Sequence, residues 1–206
     1  LSVAKPSKKP RVLVTNLSTS RMLDDIAAAH GARVVRTAVG EANVVEAMKR
    51  EKAAGHDVIL GGEGNGGVIW PRVTYVRDSL SAMALVLSLM ARTGKKVSEL
   101  VAAIPAYAIE KRKVDLARKE DAKPAVDKIA AAYRDQTVDL QDGVRIDWPK
   151  AWLHVRASNT EPIMRLIAEA PTAAQARAIL DEAARIIAGS RRRCSPAPRL
   201  RTPHPI

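Results

Sequence analysis

The chain of 206 residues has no phenylalanine, and only three tryptophans and three tyrosines. Proteins that read single-stranded nucleic acid need flat rings on which bases stack. Six rings spread over this length supply few such platforms. Cysteine is almost missing as well. Cys194 stands alone, so neither an internal disulfide nor a cysteine metal cluster is expected. No apolar run is long. The greasiest stretch, Leu80 to Met90, contains Ser81 and Ser88 and falls short of the roughly 20 residues of a membrane helix. Lys5, Lys8 and Lys9 are followed by no apolar segment fit for a secretory signal. These absences lead to an expectation of a cytoplasmic chain with no membrane partner. The first residue is Leu1 rather than methionine, so a truncated start is expected.

Acid is absent from both ends. Residues 1–11 carry four bases and residues 191–206 carry five, with no acid in either. Between them 25 bases face 22 acids, so most of the net charge of +12 sits at the tips. A basic end can hold phosphate polymers without specificity. It can equally be a solvated tail, which makes nucleic acid an unlikely partner. What is present is globular in type: 47% hydrophobic and 27% charged residues, enough for a large core.

Arg11–Asn16, Ala32–Arg36 and Val58–Leu60 read as buried strands. Helices with Met22, Ile26 and Ala29, and with Val44, Val45 and Met48, fall between them. Ser18, Thr19 and Ser20 supply a predicted cap for the first, and Gly31 stops it. Strands alternating with helices indicate βαβ units on a mostly parallel sheet. A long helix is predicted from Asp78 to Gly94, and a short one capped by Ser98. After Pro105 the pattern changes. Tyr107–Leu116 reads as a strand, Pro124–Tyr133 as a helix, 143–147 and 151–155 as a hairpin, 162–168 as a strand and 171–188 as a helix. The expected organisation is a basic segment 1–10, a partial three-layer α/β domain 11–104, a smaller α+β domain 105–189 and a disordered basic tail 190–206.

Two loops carry candidate chemistry. Gly61-Gly-Glu-Gly-Asn-Gly-Gly67 follows the third strand at once. Ligands of open parallel sheets gather beyond the carboxyl ends of strands, and glycine lets backbone approach them closely. Glu63 and Asn65 are the only side chains there, flanked by Gly64 and Gly66. A carboxylate and an amide suit sugar hydroxyls. No Lys-Ser or Lys-Thr follows, so this is not a nucleotide P-loop. A plain strand-to-strand turn explains the same residues. The second loop is Arg156-Ala-Ser-Asn-Thr-Glu-Pro162, with Arg165 soon after. Ser158, Asn159 and Thr160 are small donors, and two arginines can fork onto phosphate oxygens. A turn closed by a Glu161–arginine salt bridge is the alternative.

Together, about ninety residues apart and in this order, the two loops resemble the α-D-phosphohexomutase family. Gly61–Gly67 looks like its sugar loop, and Arg156–Pro162 like its phosphate loop. Thr37-Ala-Val-Gly40 and Arg77-Asp78 are similar to further family elements. The resemblance implies four domains in the full enzyme, of which this chain would hold most of the third and the whole TATA-binding-protein-like fourth. It also implies phosphoryl transfer between the 6- and 1-positions of a hexose phosphate, through a phosphoserine and a bisphosphate. Glu63, Gly64, Asn65 and Gly66 would bind sugar. Arg156, Ser158, Asn159, Thr160 and Arg165 would bind phosphate. The serine's Ser-His-Asn context and the Asp-x-Asp-x-Asp magnesium loop do not occur in this sequence. No catalytic residue is therefore expected in this chain. Mg2+ would be held by missing N-terminal domains or a partner chain, and the isolated chain is expected to be inactive. Asn65-Gly66-Gly67 stands where many relatives have serine-glycine-histidine, which inclines the reading toward phosphoglucosamine mutase over phosphomannomutase or phosphoglucomutase specificity. A non-catalytic sugar-phosphate-binding module is the reading from another class.

Overall fold

A computed structural model of the chain describes residues 8–158 and 161–189. The tail expected at 190–206 and most of the basic segment 1–10 lie outside them, as do Asn159 and Thr160.

The first sheet has strands β1 (Arg11–Asn16), β2 (Ala32–Thr37), β3 (Asp57–Glu63) and β4 (Gly67–Ile69) in the order β2-β1-β3-β4. The first three are parallel and β4 runs antiparallel to β3. Parallel neighbours need a crossover, which helices α1 (Met22–Ala29) and α2 (Glu41–Ala53) provide. They cover opposite faces. Val12 and Val14 of β1 pack with Val44, Ala47 and Met48 of α2, while Leu13 packs with Ala27 of α1. A strand buried on both faces must be apolar at successive positions, and Val12-Leu-Val14 is.

Helix α3 (Ser79–Thr93) starts where Asp78 accepts from the Leu80 amide at 3.0 Å, and it ends at left-handed Gly94. Two other predicted caps need correction. The residue before α1 is Arg21, with Ser20 only accepting from the Met22 amide. Ser18 and Thr19 are drawn off to partners described below. Helix α4 (Val97–Ala102) begins after Lys96, whose amide donates to Glu99 at 2.8 Å, so Ser98 lies inside it. Leu80, Met83 and Leu87 of α3 and Val97 and Val101 of α4 are exposed apolar residues. Among the described residues no helix is long and apolar enough to cross a membrane.

The second sheet is antiparallel, in the order β5-β9-β8-β7-β6. Its strands are β5 (Ala108–Asp115), β6 (Thr137–Asp139), β7 (Val144–Trp148), β8 (Ala151–Ala157) and β9 (Ile163–Ala170). The sequence reading missed β6, whose three residues are too few for any periodicity. Helices α5 (Ala122–Ala132) and α6 (Ala173–Ile187) lie on one face, over Ile146, Leu153, Val155 and Leu166. The other face carries Arg145, Trp152, His154 and Glu169, all buried because residues 17–21 of the first unit lie against them. An α/β unit with helices on both sheet faces is thus followed by an α+β unit, the fold class read from the sequence. The described strands of one sheet do not pair with those of the other.

Leu153 is fully buried in the second core. Leu153→Ala is expected to lower stability by about 2–5 kcal/mol in urea unfolding, with the larger end if the site fails to collapse.

Candidate functional site

Strands β1, β2 and β3 end on one edge of their sheet, at Asn16, Thr37 and Glu63. Parallel pairing therefore brings three chain-distant residues together. Asn16 Nδ2 donates to Glu63 Oε1 at 2.7 Å, and the Gly40 amide donates to the same oxygen at 2.8 Å. Both donors hold one oxygen. Among the described residues, Oε2 has the Asn65 side-chain amide as its partner, at 3.4 Å. Asn16 Oδ1 in turn accepts from the Ser18 amide and the Thr19 hydroxyl, each at 2.9 Å. Thr19 Oγ1 accepts from the Gly64 amide at 3.0 Å, anchoring the tip.

The glycine stretch is a β-hairpin. Strand β3 runs into it as far as Glu63, β4 begins at Gly67, and Gly64-Asn65-Gly66 is the exposed turn. A Cβ on Gly62 would run into the carbonyl oxygen of Gly67, so the close strands demand glycine there. The hairpin accounts for Gly62 and for Gly66 with its positive φ, Gly61 and Gly67 leave room for Met48 and Arg77, and the tip presents Glu63 and Asn65. Arg77 and Asp78 do structural work: Arg77 Nε donates to Glu41 at 2.7 Å and Asp78 caps α3.

Arg156 lies near the end of β8 with a mostly buried side chain, and Arg165 lies directly opposite on β9, exposed. Ser158 is buried, its amide donating to Ile163 O at 2.9 Å. Arg156 does not pair with Glu161. Its Nη1 faces Asp142 Oδ2 at 3.6 Å instead. That same Oδ2 accepts from the Val39 amide at 3.1 Å. Val39 and Gly40 are consecutive, so neighbouring amides receive the carboxylates of Asp142 and Glu63, one from each unit. The Thr37–Gly40 element thereby links the two loops. Sequence reasoning missed Asp142, since a lone aspartate 103 positions from its partner Val39 leaves no local signal.

A second link closes a ring. His154 Nε2 lies 2.7 Å from Asp142 O, and His154 Nδ1 lies 2.8 Å from Ser18 Oγ. A carbonyl only accepts, so Nε2 carries the proton and Nδ1 accepts from the Ser18 hydroxyl. Alongside, buried Arg145 grips Asp147 through two 2.8 Å bonds, donates to Leu17 O, and stacks 4.5 Å from the Trp152 ring centre. Glu169 Oε1 accepts from the Arg21 amide at 2.9 Å and from Trp152 Nε1 at 2.8 Å. Chemically, the site can accept hydrogen bonds at Glu63, offer both senses at Asn65, and present positive charge at Arg156 and Arg165. Among the described residues no group of three or more His, Cys, Asp or Glu is arranged to hold a metal.

The phosphoglucomutase/phosphomannomutase alpha/beta/alpha domain III model matches residues 2–107, and the C-terminal domain model of the same family matches residues 112–186. The chain belongs to the phosphoglucomutase/phosphomannomutase family. It is 39% identical over 172 residues to a phosphoglucomutase/phosphomannomutase of Thermococcus kodakarensis, covering 82% of this chain and 36% of that protein. It is 33% identical to a phosphoglucosamine/phosphogalactosamine mutase of Sulfurisphaera tokodaii, covering 91% of this chain and 40% of that one. The chain thus spans well under half the length of these relatives. A crystal structure of a phosphoglucomutase/phosphomannomutase family protein from Burkholderia thailandensis shares the fold, with a TM-score of 0.69 at 21% identity over 88% of this chain and 39% of that one.

Burial above all, with Arg145 and Arg156 nearby, holds the His154 imidazole below its ordinary 6.5, against the opposing pull of Asp142. The unfolded chain then binds this proton more readily than the folded one. The stability from neutral His154 is complete above 6.5 and falls as pH drops below it. The urea midpoint is expected to fall between about pH 7.5 and 5, and His154→Asn to flatten that fall. An unchanged slope in the variant would assign the loss to other groups.

Proposed function

We propose that this chain is the substrate-holding part of a phosphohexose mutase that moves a phosphoryl group between the 6- and 1-positions of a hexose phosphate, with glucosamine phosphate as its substrate. The observation that carries the reading is the pair of consecutive amides at Val39 and Gly40. They tie the Glu63 loop and, through Asp142, Arg156 into one constellation. A mutase of this kind must grip one phosphate firmly while the other end of the sugar reacts, and positioning is the larger part of such catalysis. Arg156, Ser158, Asn159, Thr160 and Arg165 form the grip. Glu63 and Asn65, with the Gly64 and Gly66 backbone, hold the hydroxyls. The choice of glucosamine rests on the Asn65-Gly66-Gly67 variant of the sugar loop and on the name of the Sulfurisphaera relative.

The magnesium expected from the resemblance finds no fitting set of ligands among the described residues, so no step is derived through it. The same lack, with the absence of a Ser-His-Asn motif, is shared by a second reading, in which the chain binds sugar phosphate without turning it over. Both readings share one outcome for the chain alone: no conversion of glucosamine 6-phosphate with magnesium and a hexose bisphosphate present. Restored turnover on adding a polypeptide with the remaining domains separates the enzyme from the binding module.

Binding itself is open to test by amide shifts in NMR titrations. Millimolar affinity is expected for hexose phosphate, because exposure and ordering offset most of the charge-assisted bonds. Arg156→Ala should weaken inorganic phosphate and hexose phosphate alike, by about tenfold. Glu63→Gln should weaken hexose phosphate and spare inorganic phosphate. Shifts confined to residues 191–206 would move the affinity to the tail and overturn the site.

A further inference from the structure

We infer that Lys113 is a third cation of the phosphate site, so that the site takes a dianionic phosphate monoester across three strands. The inference rests on the sugar-phosphate reading above and extends it to a strand that the two loops do not include.

Strand register carries the argument. Lys113 of β5 lies directly opposite Arg165 of β9, and Arg165 directly opposite Arg156 of β8. Directly opposed residues share a face, and neighbouring strands stand about 4.8 Å apart. The three cations therefore form one row, about 10 Å from end to end. That face is the inner one: Arg156 follows His154 by two residues, and His154 meets Ser18 of the first unit. The row is also level with the phosphate loop. The β8–β9 connection begins just past Arg156, and the Leu116 amide donates to Pro162 O at 2.9 Å, tying the end of β5 to the loop.

Charge balance separates this row from the rest of the sheet. On the opposite face of β5, Arg112 pairs with Asp181 at 2.7 Å and Glu110 with Arg177 at 2.8 Å. In the row, only Arg156 has an acid within ion-pair distance, Asp142 at 3.6 Å, and Asp142 also serves the Val39 amide; Asp115, two residues beyond Lys113 on the same face of β5, is ion-paired with none of the three. Arg165 and Lys113 have no ion-pair partner among the described residues. Like charges set directly opposite one another destabilise a sheet. Three in line, with one acid in ion-pair reach and Asp115 at the end of β5, keep an excess of positive charge that a bound dianion would relieve. Arginine forks onto phosphate oxygens in a fixed plane, whereas lysine acts as a point charge on a four-carbon stem. From the edge strand, that stem can swing its ammonium over Arg165 toward an anion held by Arg156.

A plainer role competes. Strand β5 is the edge of its sheet, and edge lysines discourage the addition of foreign strands. Lys111 supplies the control. It lies on the same face of the same strand, but its row runs through Ile167 and His154 rather than through arginines. Edge protection makes the two lysines equivalent. A phosphate site does not.

The test is an NMR titration of the full chain with inorganic phosphate near neutral pH, on the parent and on Lys113→Ala, Lys113→Arg, Lys111→Ala and Arg156→Ala. Lys113 and Lys111 are both exposed, so their variants should keep the parent's amide spectrum away from the site. Lys113→Ala is expected to weaken phosphate about three- to tenfold, Lys113→Arg to keep most of the affinity, and Lys111→Ala to change it less than about twofold. Equal affinities for Lys113→Ala and the parent, with Arg156→Ala weakened, would remove Lys113 and leave the sugar-phosphate reading standing. Equal losses at Lys113 and Lys111 would reduce the effect to general surface charge and overturn the inference. An Arg156→Ala variant that binds like the parent would overturn the underlying reading itself.

Discussion

Two neighbouring backbone amides, those of Val39 and Gly40, hold the halves of the candidate site together. Each donates to a carboxylate, and bonds to charged acceptors are the stronger kind. Because consecutive amides sit a fixed distance apart, Glu63 and Asp142 cannot shift independently. Glu63 keeps one oxygen turned to the protein and the other toward Asn65. Asp142 faces Arg156, which strand alternation puts on the inner face of the second sheet. The circuit closes through Asp142 O, His154, Ser18 and Asn16 back to Glu63. Removing one member leaves its neighbours with buried polar groups in need of partners, which costs more than the bond itself contributes.

The seam around this circuit is polar where a slipping interface would be greasy. Arg145 is buried, yet it is matched by Asp147, Leu17 O and the Trp152 ring. A buried cation with each guanidinium nitrogen hydrogen-bonded narrows the placements open to the surface that receives it. Arg21 ties the seam from the other side, donating to Trp148 O at 2.8 Å while its amide binds Glu169, although its buried Nε has no partner among the described residues. Tyr107, at the junction between the units, donates to Asp25 at 2.7 Å. Family membership accounts for the order of the two units, and this seam accounts for their orientation in this chain.

Much of the fold was legible because its signals are local. Val12-Leu-Val14 announces a strand covered on both faces, and Asp78 and Gly94 punctuate α3 as their chemistry requires. The cap of α1 differs from the expected one for a physical reason. Serine and threonine near a helix start are good caps only when nothing else claims them, and Ser18 and Thr19 are claimed by His154 and Gly64. Strand β6 was too short to show a period. In the site, Glu63, Asn65 and Arg156 stood out through their glycine and Ser-Asn-Thr surroundings. Asp142 and Lys113 did not, because their significance comes from register and from contacts across the chain, which no window of sequence displays.

The dependence on main-chain donors at residues 39 and 40 bears on how this protein tolerates mutational drift. A side-chain donor is lost with a single codon change, whereas every residue except proline offers the same N–H. Val39 can therefore wander among the apolar residues without loosening Asp142. Gly40 is more constrained, since it turns at φ +130°, outside the range other residues favour. Inheritance of the site's frame thus rests on backbone that resists change. Diversification is left to the exposed turn, where a change at Asn65 would alter what the hairpin tip offers a ligand while Asn16 and Gly40 still hold Glu63 Oε1.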